Sequence, residues 1–354
     1  MVPLAASLTL AQAPAVRAAP PVAFTRFVDS LEQSGFSGSV LLADRRTVLV
    51  FRSMGVADRT TGRAIATTDR WRWASVSKQI TAALVLREVD VGRIALDVPV
   101  STYLPGFTTG ARAAITVRHL LQHTSGLPNP DASAADADGM PRVYRERGNG
   151  VGDAAYARVC GGPPVAPPGT RFDYNNCDYL VLGALLRART GRTTSQLLAR
   201  ELGTAWTPGA RETVRGYLTD STAEEQFRLT TFGSAGALTG TLESLLAFDR
   251  RLLGSMLSPA AKTELWRSEP KFGYIALGAW VFEATLRGCT APVRLVERRG
   301  SIGGIEVRNV LLPDRDLVLM MFTNHANVPF GEVWQGRGLT YDALRAAACA
   351  ADER

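Results

Sequence analysis

Along this chain the apolar positions change period twice, from strand-like to helix-like and back. After a short helical stretch over 25–33, the apolar run 38–43, the polar turn Asp44-Arg45-Arg46 and the apolar run 47–51 read as a β-hairpin rich in Val and Leu. Over 75–91 the period becomes helical, with Ile80, Leu84 and Val91 near one face and Gly92 as a stop signal. Helices are also expected at 117–123, 179–189, 194–202 and 241–253. Beyond Lys271 strands return at 273–283, 293–297, 305–312 and 317–322, and a last helix covers 341–350.

Strands at both chain ends with helices between them imply an α+β architecture: an antiparallel β-sheet flanked by helices and built from both ends, with a mainly helical domain inserted. The expected division is a tail over 1–21, a sheet domain from 22–74 plus 265–354, and a helical domain over 75–264. The polar segment 128–151 is too long for a simple connector and is a candidate rim or lid.

Composition narrows the class. The chain has 354 residues, 46% hydrophobic and 21% charged, which suits a globular protein with a large core. Its early apolar stretch, 2–13, is shorter than the roughly 18 residues a spanning helix needs, so no membrane span is expected. That stretch ends in Ala11-Gln12-Ala13, a small-x-small pattern, and runs into a Pro/Ala-rich segment through Pro21; it reads as a signal-peptide remnant or a disordered tail. Read as a signal peptide, it points to a periplasmic or secreted protein. The net charge of +7 is spread without a dense basic run, so nucleic acid is not an expected partner. A monomer is expected.

Cys160, Cys177, Cys289 and Cys349 show no CxxC spacing, which argues against a zinc ribbon or a thioredoxin-like pair. Three connectivities are open, as are free thiols; Cys160 with Cys177 and Cys289 with Cys349 would close the shorter loops. Among forty basic residues only Lys78, Lys262 and Lys271 are lysines. Only a lysine can lose its proton at an accessible pH, which draws attention to Lys78.

Lys78 closes Ser75-Val76-Ser77-Lys78 at the start of the first long predicted helix. Residues three apart on a helix are neighbours, so Ser75 and Lys78 can meet, and Ser75 also faces the positive end of the helix dipole. A nucleophilic serine needs both a nearby base and positive potential. Alone, the motif better suits an N-cap serine followed by a surface lysine, since short motifs match often by chance.

The surroundings favour chemistry. Thr68-Asp69-Arg70-Trp71-Arg72-Trp73-Ala74-Ser75-Val76-Ser77-Lys78, with Gly92-Arg93-Ile94-Ala95-Leu96-Asp97 and Tyr103-Leu104-Pro105-Gly106, resembles the serine β-lactamase and penicillin-binding-protein-like family. The resemblance is to its branch of class C β-lactamases, D-alanyl-D-alanine carboxypeptidases and related esterases. It continues through Ile115-Thr116-Val117-Arg118-His119-Leu120-Leu121-Gln122-His123-Thr124-Ser125-Gly126-Leu127 and Pro168-Gly169-Thr170-Arg171-Phe172-Asp173-Tyr174-Asn175-Asn176. It implies that Ser75 is the nucleophile, that Lys78 activates it and that Tyr174 shuttles protons. Asn176 would hold a substrate amide and orient Lys78.

Glu297-Arg298-Arg299-Gly300-Ser301 falls where relatives carry K-T-G or H-x-G. Arg298 then either replaces that cation and grips a substrate carboxylate bidentately, or points elsewhere; bulky Arg299 would narrow the cleft. Gly300 and Ser301 would line the substrate site, with the backbone N–H groups of Ser75 and Ser301 as the oxyanion hole. The implied activity is acyl transfer from an amide or ester carbonyl of a small-molecule or peptidoglycan-derived substrate, with no metal or organic cofactor. The alternative is a non-turnover β-lactam or peptidoglycan-fragment binding protein.

Other chemistries find less support. No serine sits in a G-x-S-x-G elbow. His119 and His123 are four apart, as zinc ligands can be, but lack the glutamate of H-E-x-x-H and read better as structural.

Overall fold

The computed structural model describes residues 19–107, 110–137 and 139–349. The tail over 1–21 therefore lies almost wholly outside the described residues. Six strands form one antiparallel sheet: β1 (Gly38–Asp44), β2 (Val48–Met54), β3 (Trp280–Ala284), β4 (Val293–Ile302), β5 (Ile305–Leu312) and β6 (Leu317–Thr323). Their order is β2-β1-β6-β5-β4-β3, so the opening hairpin pairs directly with the last strand of the chain.

Successive side chains on a strand point to opposite faces, and here both faces are covered. Val40 and Leu42 of β1 and Leu319 and Met321 of β6 pack with Phe24 and Val28 of the helix Val22–Gln33 and Leu344 of the helix Leu339–Ala348. Leu41 of β1 and Met320 and Phe322 of β6 belong to the other cluster, with Ile80, Leu84, Leu180 and Leu245. Double burial explains why β1 and β6 read as unbroken apolar runs rather than alternating ones.

The helix Val76–Asp90 is the centre of the molecule. All residues from Val76 to Leu86 are buried, including Ser77, Lys78, Gln79 and Thr81. It packs against the helix Cys177–Thr190 and meets β4. A helix enclosed on all sides has no solvent stripe, which is why its sequence shows only a weak amphipathic period.

Most predicted elements appear within a few residues of their expected bounds, including Thr194–Leu202 and Leu242–Leu253. The strand expected over 273–283 is mostly something else. Only Trp280–Ala284 is strand; Pro270–Phe272 is a 3₁₀ turn, and the chain folds back so that Val281 N–H donates to Tyr274 O at 3.0 Å. Gly278, at φ +86°, makes that return possible: a Cβ there would stand 2.6 Å from Ala82 Cβ and 3.1 Å from Lys78 O. The four cysteines pair as Cys160–Cys177 and Cys289–Cys349. Among the described residues no helix is long and apolar enough to cross a membrane.

Candidate active site

Ser75 sits where a short antiparallel segment turns into the central helix. Trp71 and Arg72 pair with Gly240 and Thr239, Trp73 N–H donates to Leu238 O at 2.9 Å, and Ala74 then adopts φ +45°. A non-glycine residue in the left-handed region is strained, and it persists only where its surroundings hold it. Here Ala74 is fully buried in a cluster with Tyr144, Phe232 and Ile302, and the turn delivers Ser75 to the wall of a cleft.

Three contacts surround the Lys78 ammonium, which is wholly buried. It donates to Ser75 Oγ at 3.1 Å, Asn176 Oδ1 at 2.7 Å and Ala235 O at 2.8 Å. Two of these oxygens can only accept. If Lys78 gives up one proton, its two remaining N–H groups stay with Asn176 and Ala235, and its lone pair faces the one partner able to donate, Ser75. Burial lowers the Lys78 pKa and the Arg298 charge adds to this, against an opposing pull from Tyr174.

The Tyr174 hydroxyl lies 2.7 Å from Ser75 Oγ and accepts from Arg298 Nη2 at 2.7 Å. Burial works to raise its pKa, but the Arg298 and Lys78 charges outweigh it and the net shift is downward. His123 packs beneath the phenol, ring centroids 4.4 Å apart, with Nδ1 2.9 Å from Asp178 Oδ2. Burial holds His123 well below and Asp178 well above their ordinary values, so a charged pair is disfavoured here. His119 is used differently: its Nδ1 accepts from Thr116 N–H at 3.2 Å in a helix cap. The two histidines thus have separate structural partners.

Asn176 orients Lys78 but has no free amide hydrogen bond to offer. Its Nδ2 donates to Tyr144 Oη at 2.8 Å and Asp131 Oδ1 at 3.2 Å, and the Tyr144 hydroxyl itself bonds Asp131. Because a carboxylate only accepts, Asp131 fixes which end of the amide faces Lys78. Asp131 and Tyr144 both come from 128–151, so this segment is a wall of the site as well as its rim. Neither residue was legible in the sequence, where they stand isolated among Gly, Pro, Asp and Ala.

Arg298 enters the site, but not as a free anchor. Its Nε donates to Ser75 O at 2.8 Å and its Nη2 to Tyr174, leaving Nη1 unpartnered among the described residues. Two of the three guanidinium nitrogens thus already have partners within the protein, and Arg298 points into the site rather than away from it. Arg299, on the opposite face of β4, forms the rim between Trp280 and Trp334 and pairs with Glu297 at 3.0 Å and Glu332 at 2.6 Å.

Gly300 is required by proximity, since a Cβ there would stand 2.7 Å from Ser75 N. The β4–β5 hairpin closes at Ile302–Ile305, and bonded and non-bonded pairs alternate in an antiparallel ladder. Ser301 therefore turns its N–H away from β5, on the edge that β3 leaves open beyond Glu297. Ser75 N–H donates to no backbone oxygen among the described residues. The hairpin tip is held from behind by buried Arg72, which bonds Ile302 O at 3.3 Å and pairs with Glu212 at 3.0 Å and with Glu224. Glu224 accepts from Gly304 N–H at 3.1 Å and Gly216 N–H at 3.3 Å. Ser75, Tyr174, Trp280, Arg299, Ser301 and Arg308 line the resulting cleft of about 320 Å³.

The esterase EstB of Burkholderia gladioli is 32% identical over 194 residues, covering 50% of this chain and 48% of the esterase. Penicillin-binding protein 4 of Amycolatopsis lactamdurans is 32% identical over 157 residues, covering 42% and 38%. The chain thus matches about half or less of these relatives' length. Among solved structures, the D-amino acid amidase of Ochrobactrum anthropi SV3 superimposes with TM-score 0.73 at 21% identity, over 92% of this chain and 97% of the amidase. FmtA from Staphylococcus aureus gives 0.73 at 18%, over 94% and 93%. At such identity these two show the shared fold. The sequence pattern of the beta-lactamase family matches residues 24–340, and the chain belongs to that family.

Proposed function

We propose that this protein is a serine hydrolase that forms an acyl-enzyme on Ser75 with an amide or ester substrate. One observation carries the reading: Ser75 Oγ lies within hydrogen-bond reach of both a buried amine and a phenol whose pKa values are lowered.

In the first step the Ser75 proton passes to neutral Lys78 or to the Tyr174 phenolate while Oγ attacks the carbonyl carbon. The developing oxyanion meets the Ser75 and Ser301 N–H groups. The C–O or C–N bond then breaks, and the leaving alcohol or amine takes the proton from Tyr174. Water attacks the acyl carbon in the second step, gives its proton back through Tyr174, and releases the acid with Ser75 restored. The two disulfides suit the oxidising setting of a periplasmic or secreted protein.

Intact-mass spectrometry after exposure to an activated short-chain ester, a D-amino-acid amide and a β-lactam tests the proposal. Turnover with a transient adduct on the wild type, and neither on Ser75→Ala, is expected. A stable adduct without release would instead mark a non-turnover binding protein, and no Ser75-dependent adduct would overturn the reading.

A further inference from the structure

We infer that the Ser75 cleft takes an uncharged substrate whose leaving group is apolar and lies along an aromatic groove beside Trp280. The inference rests on the acyl-enzyme reading above and adds the substrate class.

The two cations lining the cleft, Arg299 and Arg308, have acidic neighbours within the protein, while Arg298 behind it is wholly buried and bonds Ser75 O and Tyr174. Arg299 faces two carboxylates. Arg308 is nearly buried, donates to Val307 O at 3.1 Å, lies 4.0 Å from Glu306 and rests over the Phe330 ring. A carboxylate entering this cleft loses its hydration and finds the two lining cations already beside carboxylates of the protein, so it gains little from them in return.

Beside the cleft lies a second, larger cavity of about 950 Å³, walled by Trp266, Tyr274, Trp280, Phe282 and Trp334. Two of these rings are unusually open for their size, Trp334 at 62% and Tyr274 at 49% exposure. The charged residues along it, Glu283 and Arg294, face each other across β3 and β4 and offset one another. Trp280 borders both cavities, and Arg299 joins them again by touching the cleft on one side and the Trp334 ring on the other. An open aromatic surface continuous with a reactive cleft fits an apolar portion of the substrate.

The leaving-group side is the one that reaches it. The departing atom must stand at the Tyr174 hydroxyl to receive its proton, and Trp280 stacks on Tyr174 with centroids 6.4 Å apart and planes 18° from parallel. Whatever is attached to that atom passes Trp280 into the groove.

The test is kcat/KM for acetate esters of alcohols of matched acidity: ethyl, benzyl, 2-(2-naphthyl)ethyl, and the benzyl ester carrying a para carboxylate. The expected result is a rise of about tenfold or more from ethyl to naphthylethyl, as burial of an aryl group predicts. The carboxylate ester should fall about tenfold or more below benzyl. Trp334→Ala should remove most of the rise from ethyl to naphthylethyl acetate. A flat alcohol series, a rise untouched by Trp334→Ala, or a carboxylate ester as good as benzyl would overturn the inference while Ser75-dependent hydrolysis stands. Hydrolysis of none of the esters, or equal hydrolysis by Ser75→Ala, would overturn both.

Discussion

Arg298 Nη2 stands 2.7 Å from the Tyr174 hydroxyl, so the Arg298 charge is directed at the phenol proposed to shuttle protons. It lowers the pKa of Tyr174 and of Lys78 alike. In the proposed mechanism the reactive cluster has shed a proton, so Arg298 is expected to extend activity toward lower pH. Arg298→Gln removes the charge, and the low-pH limb of the kcat/KM profile is expected to move to higher pH, with a loss of about a hundredfold at neutral pH. Arg298→Lys should keep the limb near its original position. A limb unmoved in Arg298→Gln would separate Arg298 from the proton chemistry.

Tyr144→Phe removes the hydroxyl that joins Asn176 to Asp131. The Asn176–Asp131 bond remains, so the expected loss is about fivefold in kcat with KM little changed, in keeping with one weakened positioning bond worth about 1 kcal/mol. Asp131→Asn should cost more, because an amide in that place no longer dictates which end of Asn176 faces Lys78. Steady-state kinetics on the two variants decide the order.

Glu224→Gln weakens the support behind the oxyanion hairpin. It leaves buried Arg72 with Glu212 alone and loosens the hold on Gly304 N–H. Breaking one arm of a buried ion-pair cluster costs about 3 kcal/mol of stability, and a displaced oxyanion donor costs about a hundredfold in kcat. Thermal denaturation and acylation rate should therefore fall together. A variant with lowered stability but normal acylation would mean that Ser301 holds its place without the clamp.

Asp153 gives a dependence on pH that lies outside the catalytic residues. Its carboxylate accepts from Ser234 N–H at 2.7 Å and from Ser234 Oγ at 2.6 Å, directly before Ala235, whose carbonyl holds Lys78. Burial outweighs those bonds and pushes its pKa from 3.8 up to about 6. The folded state therefore holds a proton that the unfolded state has lost between those values. The contribution is complete below the unfolded pKa and disappears as pH rises through about 6, roughly 3 kcal/mol in all. Urea midpoints should show that Asp153→Asn gains stability relative to the wild type between pH 4 and pH 7; equal differences at both would refute the assignment.

Local patterns carried much of this protein on their own. The pairing of Ser75 with Lys78 follows from a three-residue step on a helix, and the unbroken apolar runs of β1 and β6 reflect burial on two faces. The turn at 273–279 escaped notice because its apolar residues pack against the central helix instead of alternating across a sheet. Asp131, Tyr144, Glu224 and Trp280 carry no mark of their contacts, since each meets partners more than a dozen residues away.

What the amino-acid order determined by itself was the set of elements and the reactive motif, because periodicity and short-range spacing are properties of neighbouring residues. What only the tertiary structure decided was the use of each charge. Arg298 faces a phenol rather than solvent, and Asn176 is bound on both ends. Such outcomes depend on which distant groups share a buried volume, and a chain specifies that only once folding has brought them together.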